Sequence, residues 1–194
     1  FCCVGSAKLS YEAMIKRHGL ETAKRFFAIQ LQSVALVADR LKTEAIDADA
    51  VGDGETQLAR SVKAFAGFQA EAAFLNQTFG ASYQVIAREE LAAHGMGGPQ
   101  FHGGLHNPVG FGLHPLKYAR GLAMAAQRAG ARVHPRSEVT AWRREGAAHR
   151  LITPRGSVKA ARVIVATNGY TPDDLSPAFA GRVLPALSNI LVTA

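Results

Sequence analysis

Val163-Ile164-Val165-Ala166-Thr167-Asn168-Gly169-Tyr170 is the stretch on which the reading of the whole chain turns. Its first four residues are apolar without alternation, the pattern expected of a strand covered on both faces, as in a parallel sheet. Small residues and a glycine follow at once, which predicts backbone exposed at the carboxyl edge of that sheet, where open α/β folds bind ligands. The residues just upstream follow another rule. Segments 138–144, 149–153 and 157–160 alternate apolar and polar side chains, and the turns Glu145-Gly146 and Pro154-Arg155-Gly156 separate them. This predicts a half-exposed antiparallel meander. Before it lie a short strand at 131–133 and a helix opened by His114-Pro115, closed by Gly130 and faced with Tyr118, Leu122, Ala125 and Ala129. Helix, strand, meander and buried strand together describe a dinucleotide-binding layout in which a meander replaces one crossover helix.

Toward the N-terminus the helical period dominates. Residues 8–45 read as helix, interrupted at Gly19, with Phe27, Leu31, Val34, Ala38 and Leu41 forming one apolar stripe. Residues 46–59 suggest a short hairpin around Asp53-Gly54. A second helix spans 61–79, faced with Phe65, Phe68, Ala72, Leu75 and Phe79 and stopped by Gly80. A strand at 83–86 and a short helix at 88–94, stopped by Gly95, come next. Residues 95–112 hold seven glycines together with Phe101, His102 and His106, and read as a loop whose backbone either packs loosely or lies close to a ligand.

Composition narrows the function classes. The 194 residues are 48% hydrophobic and 19% charged, a globular composition with enough chain for one core or two small ones. No apolar run approaches the roughly 20 residues a membrane-spanning helix needs. The formal charge of +7 invites a nucleic-acid reading, but the densest basic stretch, Arg128 to Arg155, alternates with apolar residues as solvated strand faces do, and no nucleic-acid motif accompanies it. Cys2 and Cys3 are adjacent and form no disulfide framework, which fits a reducing, cytoplasmic setting and two small packed side chains. Phe1 at the start and the apolar residues 190–194 at the end lead us to expect a central piece of something longer.

The strings His114-Pro115-Leu116-Lys117-Tyr118-Ala119-Arg120-Gly121-Leu122-Ala123, Gly130-Ala131-Arg132-Val133, Ser137-Glu138-Val139, Thr153-Pro154-Arg155-Gly156 and 163–171 resemble the FAD-dependent amine and D-amino-acid oxidase family, nearest to its gamma-glutamylputrescine oxidoreductase type. The likeness is specific over 102–194 and looser over 1–100. It implies an α/β fold (an α+β mix): part of an FAD-binding dinucleotide domain with a β-meander crossover, plus part of a substrate domain. Residues 1–45 and 113–170 are then expected in the FAD-binding domain, 46–112 in the substrate domain, and 171–194 on the way back to it. The same resemblance implies that Val139 lies at the adenine and that Ala166, Thr167, Asn168 and Gly169 run beside the adenosine and pyrophosphate. It also implies that Phe1, Cys2 and Cys3 pass the isoalloxazine ring, and that His102 and His106 lie on the substrate side. The partner expected is a small amine or amino acid, oxidised by hydride transfer to FAD with hydrolysis of the resulting imine. No catalytic base is implied, because the amine needs only to be neutral when it reacts.

One departure from the family pattern stands out. The phosphate-binding GxGxxG is missing, and Gly95-Met96-Gly97-Gly98 does not follow a buried strand and so cannot replace it. This leads us to expect that the 194-residue chain alone does not hold FAD tightly. A second reading follows from the same absence, a non-catalytic interaction module that retains an oxidase-like scaffold. A metal site at His102 and His106 is not expected, because Gly103-Gly104 between them opposes the helix that would bring both rings to one ion.

Overall fold

Ser10 starts the helical part of the chain: its Oγ accepts a hydrogen bond from the Ala13 N–H at 3.2 Å, and α1 (Tyr11–His18) follows. Gly19 ends α1 and leads directly into α2 (Leu20–Thr43), the break expected from the sequence. The structure is a computed structural model and describes residues 2–5 and 8–182. The chain divides between Ala131 and Arg132 into two units.

In the first unit, α3 (Val62–Phe79) carries the same punctuation: Ser61 Oγ accepts from the Ala64 N–H at 3.1 Å, and Gly80 closes the helix. Asn76, near its end, clamps the chain that follows. Its Nδ2 donates to Tyr83 O at 2.9 Å while its Oδ1 accepts from the Tyr83 N–H at 2.8 Å. Among the described residues strand pairing is antiparallel throughout. β1 (Cys2–Cys3) pairs with β5 (Gly110–Phe111), and β2 (Glu55–Leu58) and β3 (Gln84–Ala87) flank β4 (Gly103–Asn107). α4 (Pro115–Arg128) ends the unit, with His114 as its cap and Pro115 at its first position. The core has two parts. Val4, Tyr11, Phe27, Val34 and Leu75 join β1, the first two helices and α3, while Ala59, Phe68, Ala72 and Leu105 seat α3 on the sheet. Tyr11, Phe27 and Phe79 form an aromatic cluster with centroids 4.8–5.6 Å apart.

Three expectations in this unit need correction. Residues 46–59 do not form a hairpin. The strand there, β2, pairs with β4 some 50 residues on, with Glu55 opposite Asn107, while Val51 bridges instead to Gly112. Gly54, at φ +138°, lies against the backbone of Asn107 and Pro108, a close approach open to glycine that lets β2 run beside β4. Within 95–112 the chain is not all loop, because Gly103–Asn107 is the central strand of the sheet. Its glycines are tight contacts: a Cβ on Gly103 would enter the Phe65 ring, and one on Gly104 would lie 2.8 Å from Thr56 Cγ2. The short helix expected at 88–94 is a 3-10 turn at Arg88–Glu90 followed by turns.

The second unit is the meander expected from the alternation: β6 (Ala141–Glu145), β7 (Ala148–Thr153) and β8 (Gly156–Ala160), with Trp142 opposite Leu151 and Thr153 opposite Gly156. Trp142 is half-buried; its Nε1 donates to His149 Nδ1 at 3.0 Å and its ring lies 5.8 Å from Phe179. Arg150 makes a two-pronged ion pair with Glu145. Residues 131–133 and 163–166, expected as strands, are not strands, and Ile164 is 92% exposed. A covered strand needs a neighbour to pair with and elements packed on both faces, and among the described residues no ladder includes 163–166.

Candidate functional site

The residues named from the sequence fall in both units. Cys2 and Cys3 form β1, with backbone fixed in register to Phe111 and Gly110. Both thiols are free and half-buried rather than buried. His106 sits in β4, its Nδ1 3.0 Å from Thr56 Oγ1, beside an open hollow also lined by Asp53, His94 and Met96. His102 lies just before that strand, its backbone N–H donating to Ala59 O at 2.9 Å. Four residues of extended chain separate the two histidines by about 13 Å, so their rings do not converge. Among the described residues no group of three or more His, Cys, Asp or Glu could hold a metal ion. Phe1 lies outside the described residues.

Val139 and Ala166 to Gly169 belong to the second unit. Val139 is half-buried just ahead of β6. Ala166, Thr167 and Asn168 are exposed, and Asn168 opens a 3-10 turn with φ +49°, a left-handed conformation rare for a residue with a side chain. Thr171 Oγ1 donates to Asn168 O at 2.9 Å and holds the turn. This exposed turn is the segment that the family resemblance assigns to the adenosine. The pyrophosphate is a different matter. It requires a glycine-rich loop between a buried strand and a helix N-terminus, and among the described residues none of the four α-helices begins that way. Among the described residues the element that holds a dinucleotide's phosphates is therefore missing.

Sequence reasoning missed the most distinctive feature of the first unit. Behind β1 a cavity of about 180 Å³ is lined by Val4, Ser10, Tyr11, Glu12, Glu55, Gln57, Glu71, Tyr83, Leu105 and Asn107, among others. Six separate segments supply these residues, so no local spacing could announce it. The described lining has three carboxylates and no Lys, Arg or His. Its titratable groups respond accordingly. Burial pushes the Tyr83 hydroxyl up to about 12, aided by the surrounding negative groups. Burial and then the charge of Glu12 raise the Glu71 carboxyl. The neighbouring Cys3 thiol is pushed up to about 11, first by burial and then by its hydrogen bond to Glu55 and that residue's charge.

Because the folded Cys3 value lies above its ordinary 9.0, the thiol's contribution to stability is whole below pH 9.0 and is lost as pH rises through about 11. Cys3 is accordingly expected to resist alkylation by iodoacetamide at neutral pH, since only the thiolate reacts. Glu55→Gln should move the onset of labelling to lower pH. Rapid labelling of the parent protein at about pH 7, followed by mass spectrometry, would contradict this.

Comparison with known proteins bears on the family and the fold. The family described as FAD dependent oxidoreductase (DAO) matches residues 6–194. The chain is 26% identical over 194 residues to gamma-glutamylputrescine oxidoreductase of Escherichia coli, a match covering 98% of this chain and 44% of that protein. Among solved structures, glycine oxidase from Geobacillus kaustophilus superposes with a TM-score of 0.62 at 22% identity, over 84% of this chain and 42% of that one. Glycine oxidase from Bacillus cereus gives 0.64 at 17% identity, over 91% and 46%. The chain thus spans less than half the length of the proteins it matches here. With the family description covering nearly every residue, the chain belongs to the FAD-dependent oxidoreductases of the DAO family, whose cofactor is FAD.

Proposed function

We propose that the chain forms the central part of a flavoenzyme that oxidises the C–N bond of a small amine or amino acid. The observation that carries this reading is the family match across residues 6–194. Bound FAD would supply the hydride acceptor, leaving an imine for water to hydrolyse; the protein supplies binding and orientation. In this reading Val139 and Ala166 to Gly169 hold the adenosine, and Phe1, Cys2 and Cys3 pass the ring. Residues 1–45 and 113–170 serve the cofactor, while 46–112 and the return from 171 serve the substrate. His102 and His106 lie on the substrate side, the latter with its ring steadied by Thr56. Two free thiols suit a reducing, cytoplasmic setting. Among the described residues no helix is long and apolar enough to cross a membrane.

The 194-residue chain, purified alone, is expected to be colourless, because the phosphate-binding loop is absent from it. A protein extended at both ends should copurify with yellow flavin and bleach anaerobically with polyamine derivatives rather than D-amino acids. Stoichiometric flavin on the short chain would overturn the first expectation. An extended, flavin-loaded protein that no amine or amino acid reduces would overturn the reading itself and favour the non-catalytic module.

A further inference from the structure

We propose that Asn168 is a modification site, deamidating spontaneously to aspartate and isoaspartate with water as the co-reactant and promoted by the Thr171 hydroxyl. Asn168-Gly169 is the one Asn-Gly pair in the chain. Asparagine is a thermolabile residue, and its weakness is intramolecular: the backbone nitrogen of the next residue attacks the side-chain amide carbon. Glycine has no Cβ to hinder that approach. The other asparagines among the described residues lack the opening. Asn76 has both ends of its amide tied to Tyr83. Asn107 is 4% exposed and precedes Pro108, whose nitrogen carries no proton to lose. Asn168 is exposed and opens a three-residue 3-10 turn.

The turn also supplies a donor where charge develops. As the Gly169 N–H gives up its proton, negative charge spreads from that nitrogen onto Asn168 O, the carbonyl oxygen of the same peptide unit. Thr171 Oγ1 donates to Asn168 O at 2.9 Å. A hydroxyl has one proton, so the contact between the Thr167 and Thr171 hydroxyls runs from Thr167 to Thr171, and the two act in series on the same oxygen. Donors aimed at a developing oxyanion lower the cost of forming it. The Gly169 nitrogen then bonds to Asn168 Cγ, the side-chain Cγ–N bond breaks, and ammonia leaves with the proton that Gly169 lost. Water opens the cyclic imide at either carbonyl, and nothing is oxidised or reduced. One opening gives aspartate; the other gives isoaspartate and lengthens the main chain by one carbon. Both products place a carboxylate in the segment that the resemblance gives to the adenosine and pyrophosphate, so an ageing chain would set a negative charge beside an anionic cofactor. That consequence rests on the proposed flavin assignment; the modification itself does not.

Incubating the folded protein at mildly alkaline pH and following its tryptic peptides by mass spectrometry tests this. The peptide holding Asn168 is expected to gain one mass unit and to separate on chromatography into two isomers, while the peptides holding Asn76 and Asn107 stay unchanged. Conversion should be at least as fast as in a synthetic peptide of residues 164–172, and should slow as the pH is lowered. Thr171→Val removes the donor and keeps the shape of the side chain, so it should slow the folded protein roughly fivefold and leave the synthetic peptide unaffected. An Asn168 peptide that keeps its mass in the folded protein while the synthetic one converts would mean that the fold protects the residue, and would overturn the proposal. Conversion of the Thr171→Val protein at the parent's rate would remove the promoting hydroxyl and overturn it equally.

Discussion

Gly54→Ala is expected to lower the thermal midpoint of the protein by about 10 °C, equivalent to about 4 kcal/mol for a chain of this size. Two effects add. A Cβ at this position would overlap Asn107 O and lie 2.8 Å from Pro108 Cα, both backbone atoms that cannot swing aside. Such overpacking costs about 1–3 kcal/mol. The residue also sits at φ +138°, outside the range that side chains tolerate, for a further cost of about 1–3 kcal/mol. Gly52→Ala is the natural control, because Gly52 has positive φ (+85°) but nothing within 4 Å of the place a Cβ would occupy. The backbone penalty alone should then show. Circular-dichroism melts of the two variants, side by side, check the difference; equal midpoints would refute the close contact between Gly54 and the β4 end. Asn107 moves with that contact, so Gly54→Ala should also disturb the cavity that Asn107 helps to line.

Phe27→Ala should be nearly as damaging. Its ring is 5% exposed and lies 5.6 Å from Tyr11 and 5.0 Å from Phe79, measured between centroids. Truncating a buried phenylalanine costs about 3–5 kcal/mol, a large part of the roughly 5–15 kcal/mol that stabilises a domain. Phe27→Leu keeps most of the volume and should cost less than about 1.5 kcal/mol. Denaturant titration reads this as a lower midpoint at unchanged slope. A loss below about 1 kcal/mol for the alanine variant would mean that the aromatic cluster is not a core.

What could be read from the sequence follows the range of the physics involved. Ser61 and His114-Pro115 start helices through contacts three residues away, and Gly19 and Gly80 end them, so those boundaries were legible, whereas the first helix starts at Ser10-Tyr11 rather than at residue 8. The meander was legible because alternation and two turns specify neighbours in the chain. β4 was not, since Gly103-Gly104-Leu105-His106-Asn107 lacks strand-forming residues at its start, and its glycines answer to Phe65 and Thr56 from distant segments. The Asp53-Gly54 turn misled for the same reason: a local hairpin rule lost to a partner strand some 50 residues on. Residues 163–166 carry the pattern of a covered strand, yet coverage must come from neighbours that the pattern does not supply. The cavity was illegible because Tyr11, Glu55, Glu71 and Asn107 meet only after folding.

The contact between Gly104 and Thr56 has a historical consequence. Gly104 has ordinary backbone angles, and only the Thr56 methyl group, 2.8 Å from where its Cβ would stand, prevents a larger residue. Serine at position 56 would remove that methyl while keeping the hydroxyl that meets His106. A lineage could therefore acquire alanine at 104 after serine at 56, but the opposite order passes through an overpacked intermediate. Of the two paths between the same endpoints, only one avoids that intermediate, so a single pair of neighbours gives the order of change a direction.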